Sequence, residues 1–183
     1  MGAMNPRPTI ALFGGSFDPP HVGHVLAVAW ARLCGGADEV WVLPAANHPY
    51  AKPLTPWEQR WRLCQLAFAD LPFARLRDDE LRSSGYTIDL VETLRRAHPS
   101  HRWLLVGGTD TARDLANWHR GGELASLVEV LCVPRGGHDT HPGALPAISS
   151  SLVRERLRAG IPVDGLLPRA VATEIAANGW YRR

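Results

Sequence analysis

No apolar run in this chain approaches 18 residues, so the sequence predicts no membrane-spanning helix, and no signal-peptide pattern is recognisable. Charge of one dominant sign is missing too: 20 Lys and Arg stand against 18 Asp and Glu, a net charge of +2. That balance argues against a nucleic-acid-binding surface, since the basic residues are scattered apart from small clusters at Arg154-Arg156-Arg158 and Arg182-Arg183. Cysteine is scarce. Cys34, Cys64 and Cys132 form no C-x-x-C pair, and each lies in an apolar pattern, which predicts buried free thiols rather than disulfides or metal ligands. An odd count also fits a reducing cytoplasm. His138 and His141 lie in a glycine- and proline-rich stretch without a cysteine partner, too little to predict a metal site. Internal repeats and inter-domain linkers are absent as well. Residues 1–183 therefore read as one domain, with Met1-Gly2-Ala3 ahead of Met4 as a cloning remnant.

What is present is an ordinary globular balance, 45% hydrophobic and 21% charged, long enough to bury a full core. One stretch organises it: Gly14-Gly15-Ser16-Phe17-Asp18-Pro19-Pro20-His21-Val22-Gly23-His24. It follows the apolar run Ile10-Ala11-Leu12-Phe13 and opens into a helical pattern from Val25 to Leu33. The order is strand, glycine-rich turn, helix N-terminus. Such a junction attracts anions, because the first N–H groups of a helix lack partners and its dipole is positive there. Gly14 and Gly15 let the backbone approach a phosphate. His21 and His24, three residues apart, can face one ligand.

The remaining chain alternates strands and helices. Strands are predicted at Thr9–Phe13, Glu39–Leu43, Phe73–Leu76, Trp103–Val106 and Val128–Val133. Helices are predicted over 23–34, from Thr55 as N-cap to Ala69, from Ile88 to Arg96, from the Gly107-Gly108-Thr109-Asp110 turn to about Trp118, over Leu152–Ala159 after a serine cap, and from Pro168 to about Ala177. Gly121-Gly122 is read as an interruption before a short helical turn at Leu124–Leu127, and Arg135–Ala147 as a mobile loop. This pattern predicts a Rossmann-like α/β fold: an open, mainly parallel sheet with helices on both faces and ligands beyond the carboxyl ends of the strands.

The string His21-Val22-Gly23-His24 after Gly-Gly-Ser-Phe-Asp-Pro resembles the signature of the nucleotidyltransferase superfamily. With Pro20 before His21, it most resembles the bacterial nicotinate-nucleotide adenylyltransferases. Ile148-Ser149-Ser150-Ser151-Leu152-Val153-Arg154 is similar to the superfamily's I-S-S-T-x-x-R motif, with Ser151 where threonine is usual. Val106-Gly107-Gly108-Thr109-Asp110 resembles the turn whose Gly and Asp contact the nucleotide sugar, and Thr87 and Trp118 stand where the family holds and stacks the pyridine ring. The stretch Asn47-His48-Pro49-Tyr50-Ala51-Lys52 departs from the usual Asn-Pro-Pro-His-Lys by one extra residue and by Tyr50 near the histidine place.

The resemblance implies transfer of the adenylyl group of ATP to nicotinate mononucleotide, with magnesium accompanying ATP and small molecules as the partners. His21, His24 and Arg154 would be catalytic. Gly14, Gly15, Ser16, Phe17, Gly23, Gly108, Asp110, Ser150 and Ser151 would bind ATP, and Asn47, Lys52, Thr87, Trp118 and Arg135 the second substrate. Two rival readings remain open at this point: a phosphopantetheine adenylyltransferase with the same chemistry, and a non-catalytic nucleotide-binding regulator.

Overall fold

A computed structural model describes residues 7–46, 53–136 and 141–182, without the side chain of Asp110. Five strands, β1 (Thr9–Gly15), β2 (Glu39–Pro44), β3 (Ala74–Leu76), β4 (Arg102–Gly107) and β5 (Glu129–Cys132), form one sheet in the order β3-β2-β1-β4-β5. Every pairing is parallel. The helices are α1 (Val22–Leu33), α2 (Trp57–Phe68), α3 (Thr87–Ala97), α4 (Thr109–Asp114), α5 (Gly121–Leu127), α6 (Ser150–Arg158) and α7 (Arg169–Asn178). The open α/β fold is the one predicted.

The continuous apolar runs of the strands follow from burial on both faces. Side chains alternate: Ala11, Val40, Val42, Leu104 and Val106 join the core beneath α1, α2, α6 and α7. Ile10, Leu12, Trp41, Leu43, Trp103 and Leu105 join the opposite core with Ile88, Leu90, Val91 and Leu94 of α3 and Leu124 of α5. The order reverses between β1 and β4, so the crevice at the carboxyl ends of these two strands is the switch point where such sheets bind ligands. Both glycine-rich turns, after β1 and after β4, open into it.

Most predicted boundaries hold within two residues. Three local readings are corrected. Thr55 does not cap α2: Pro56 holds the cap position, and Thr55 turns its hydroxyl to Asp18 Oδ1 at 2.6 Å and its N–H to Asp18 Oδ2 at 3.2 Å. A buried carboxylate gains more from those donors than a helix end does. The helix after β4 ends at Asp114 and tightens to a 3₁₀ turn at Leu115–Asn117, leaving Trp118 extended. Gly121 begins α5 instead of interrupting a helix, because a Cβ there would lie 2.1 Å from the Leu115 carbonyl oxygen. A fourth reading is refined: in the stretch read as a mobile loop, Gly136 N–H donates to Leu145 O at 2.7 Å and Leu145 N–H to Pro134 O at 2.8 Å, while residues 137–140 lie outside the described residues.

Of the thiols, only Cys64 is buried, and burial raises its pKa far above the usual range; Cys34 and Cys132 are exposed. They occupy the turn after α1 and the end of β5, where the apolar pattern has already left the core. Among the described residues no helix is long and apolar enough to cross a membrane.

Candidate active site

The turn after β1 holds its two histidines against each other. The His21 and His24 rings stack with centroids 3.6 Å apart and 23° between planes. The His21 backbone N–H donates to His24 Nδ1 at 3.1 Å. A neutral His24 therefore keeps its proton on Nε2. Phe17 lies edge-on to His24 with centroids 4.9 Å apart and is 1% exposed. Its side chain is thus a core platform under the histidine, which leaves only its backbone facing the turn predicted to contact ATP. Gly23 has a steric reason to be glycine: a Cβ would sit 3.1 Å from the His21 ring.

Burial is the main cause that lowers the His21 pKa to about 4, with the Arg135 charge adding to it. His24 is pushed well below 6.5 by burial first, then by His21 and Arg135. Both rings are neutral at pH 7. His21 Nδ1 is buried, and the His21 side chain faces the first backbone N–H groups of α1.

These rings line a cavity of about 190 Å³ with Phe13, Gly23, Gly108, Arg135 and Ile148. Arg135 Nη2 donates to the Ile148 carbonyl at 2.6 Å. The structure sets Arg135, expected near the substrate phosphate, beside the histidines. A neighbouring cavity, about 290 Å³, is lined by Gly14, Gly15, Ser16, Thr87, Trp118 and His119, among others. Thr87 and Trp118, predicted together, are indeed brought to one cavity. Gly14 and Gly15 belong to the same β1 end whose Phe13 lines the smaller one, so the two cavities meet across the tip of a single strand.

Trp118 is placed by the residue two positions on. Arg120, in a left-handed conformation at φ 52°, binds Glu92 and Glu123 at 2.7 Å each and Asp89 at 3.5 Å. Each exposed pair is weak, but the set ties the Trp118–His119 segment to α3 and α5. The His119 ring packs on Tyr86 with centroids 4.2 Å apart.

The serine-rich motif sits on the other side of the turn. Ser149 caps α6 by accepting from Leu152 N–H at 3.2 Å. Ser150 Oγ donates to Pro19 O at 2.9 Å, and Arg154 Nη1 to Asp18 O at 2.5 Å, while Arg154 Nη2 meets Ser151 Oγ at 3.3 Å. Two predicted phosphate ligands therefore clasp the Asp18–Pro19 backbone directly ahead of the histidines. Asn47, Lys52 and the side chain of Asp110 lie outside the described residues.

Sequence reasoning missed the support beneath this turn. Asp18, 4% exposed, accepts from Thr55 and from the Tyr181 hydroxyl, the latter at 2.8 Å. Arg60, 1% exposed, donates to Ser16 O at 2.9 Å and to Thr55 O at 3.0 Å. A signal for Arg60 existed: it shares a helical stripe with Leu63, Cys64 and Ala67, where a charge can only be buried.

The cytidylyltransferase-like family model matches residues 12–156. This chain belongs to that family. Curated relatives within it include the probable nicotinate-nucleotide adenylyltransferase of Anaeromyxobacter sp. (strain K), 42% identical over 94% of this chain and 96% of the relative. The probable enzyme of the same name from Myxococcus xanthus (strain DK1622) is 36% identical over 97% of both chains. Among solved structures, Plasmodium falciparum nicotinic acid mononucleotide adenylyltransferase complexed with NaAD superimposes with a TM-score of 0.80 at 20% identity, covering 94% of this chain and 97% of that one. It shares the fold of this cytidylyltransferase-like chain.

Proposed function

We propose that the chain transfers the adenylyl group of ATP to nicotinate mononucleotide, giving deamido-NAD and pyrophosphate, as a step of NAD biosynthesis in the cytoplasm. The observation that carries this is the meeting of two cavities across the β1 tip. One is walled by Trp118 and the Tyr86–His119 pair, and the other holds the stacked histidines. An aromatic wall suits a pyridine ring. Glycine backbone and a helix N-terminus suit phosphates.

In this arrangement the mononucleotide lies over Gly14 and Gly15 with its ring against Trp118, and ATP occupies the histidine cavity and Gly108 turn. An oxygen of the mononucleotide 5′-phosphate attacks the α-phosphorus of ATP. A new P–O bond forms, and the bond from the α-phosphorus to the α,β-bridging oxygen breaks. That electron pair leaves with pyrophosphate. The attacking monoester is already anionic at pH 7, so no side chain has to remove a proton. Catalysis is positioning plus charge stabilisation. His24 Nε2–H and His21 donate to the transferring phosphoryl oxygens. Arg154, Ser150 and Ser151 hold the leaving end at the α6 N-terminus.

Among the described residues no group of three or more His, Cys, Asp or Glu side chains could hold a metal. Magnesium would enter on the ATP phosphates, where it would neutralise charge as part of the substrate. The test of the reading is pyrophosphate release from ATP with nicotinate mononucleotide, nicotinamide mononucleotide and phosphopantetheine offered separately. Release is expected with the first. Release only with phosphopantetheine would transfer the reading to the rival acceptor.

A further inference from the structure

The larger cavity contains a carboxylate that the adenylyl transfer just described does not use. Glu80 lies in the 3₁₀ turn Asp79–Arg82 after β3 and lines the cavity with Tyr86, Thr87, Trp118 and His119. It is half-buried, and among the described residues its carboxylate accepts no hydrogen bond and joins no ion pair. The charges around it are already engaged. Arg77 binds Asp79 at 2.8 Å, and Arg82 binds Asp78 at 3.4 Å. The α3 side contributes Tyr86, with His119 stacked on it, and the β2 side contributes Leu43 and Ala45, which carry no charge.

A carboxyl group at the edge of a pyridine pocket distinguishes the ring substituents chemically. Nicotinate presents a carboxylate, which only accepts. Nicotinamide presents an amide, whose NH₂ donates. We propose that Glu80 is a specificity-determining residue of this cavity. Uncharged, it donates to the nicotinate carboxylate; ionised, it repels that carboxylate and accepts from the nicotinamide NH₂. The preference between the two mononucleotides then turns with pH. This rests on the reading that a pyridine mononucleotide occupies the cavity.

The balance lies near neutrality. Burial first, and the neighbouring Asp79 charge second, push Glu80 up to about 7. Both mononucleotides carry the same 5′-phosphate, so its titration cancels in a ratio of affinities. Any pH dependence of the ratio belongs to the pocket.

The experiment is calorimetric binding of nicotinate mononucleotide and nicotinamide mononucleotide between pH 6 and pH 8.5, on the wild-type chain and on Glu80→Gln and Asp79→Asn. In the wild type, the preference for nicotinate mononucleotide falls by about tenfold or more as pH rises, one hydrogen bond being replaced by a like-charge contact. Glu80→Gln, which cannot ionise, makes the ratio independent of pH. Asp79→Asn removes the like charge and moves the change to lower pH, so the proposal stays testable should Glu80→Gln fail to fold. A ratio independent of pH in the wild type, or equally steep in Glu80→Gln, overturns the role of Glu80 and leaves the substrate reading intact. Binding of neither mononucleotide overturns the substrate reading itself.

Discussion

His24 Nδ1 accepts the His21 backbone N–H at 3.1 Å while the two rings stack 3.6 Å apart, so one short turn of chain fixes the tautomer of His24 and the orientation of the pair. Two imidazolium ions cannot share that spacing cheaply. The pair is therefore neutral at pH 7 until a polyanion approaches. ATP bound against it raises both pKa values, so binding takes up protons. Calorimetry near pH 6.5 in two buffers of different ionisation heat should show an uptake approaching about one proton per ATP. The same linkage governs stability without ligand. His21 is depressed from 6.5 to about 4, so its contribution is present above pH 6.5 and is lost as pH falls through that window. Replacing both histidines by asparagine should flatten the acid-side loss of thermal stability, and a slope unchanged by that replacement would refute it.

His24→Ala should lower kcat by roughly 10²–10³, the usual effect of losing one donor to developing charge. The Phe17 platform remains, so far-ultraviolet dichroism and a cooperative thermal transition should persist. A folded variant with near-normal turnover would remove His24 from the chemistry.

Arg154→Ala should raise KM for ATP about tenfold to a hundredfold, more than KM for the mononucleotide. Its guanidinium also holds the Asp18 carbonyl, so a modest fall in Tm should accompany the change. An effect confined to the mononucleotide would mean that the two substrates occupy the opposite cavities.

Arg60→Met should cost about 3–5 kcal/mol in chemical unfolding, the range for stripping one member from a buried charged network. Ser16 O and Thr55 O lose their donor, and Asp18 loses a nearby cation. Loss below about 1 kcal/mol, within the range of a surface substitution, would show that the turn does not depend on this support.

What could be read in the sequence was local. The glycines, prolines and histidines of 14–24 act within one turn of chain, and the strand runs state by composition alone that both sheet faces are covered. Thr87 and Trp118 were placed together only through the family resemblance, since 31 positions separate them and no spacing rule joins them. The Asp18–Thr55–Tyr181 contacts span up to 163 positions and leave no periodic trace. Thr55 misled because a cap residue ahead of proline and glutamate is a good helix start in isolation, and a buried carboxylate from another segment competed for it. Glu80 lies among three consecutive acids, Asp78–Glu80, with no periodicity to single it out; only the fold sets it in the cavity wall, with Asp79 turned to Arg77.

The most direct test follows the phosphorus. ATP labelled at its α-phosphorus, incubated with nicotinate mononucleotide and magnesium, should deliver the label to deamido-NAD, with unlabelled pyrophosphate formed in equal amount. Label recovered as free AMP or ADP, with no dinucleotide, would contradict adenylyl transfer across the β1 tip.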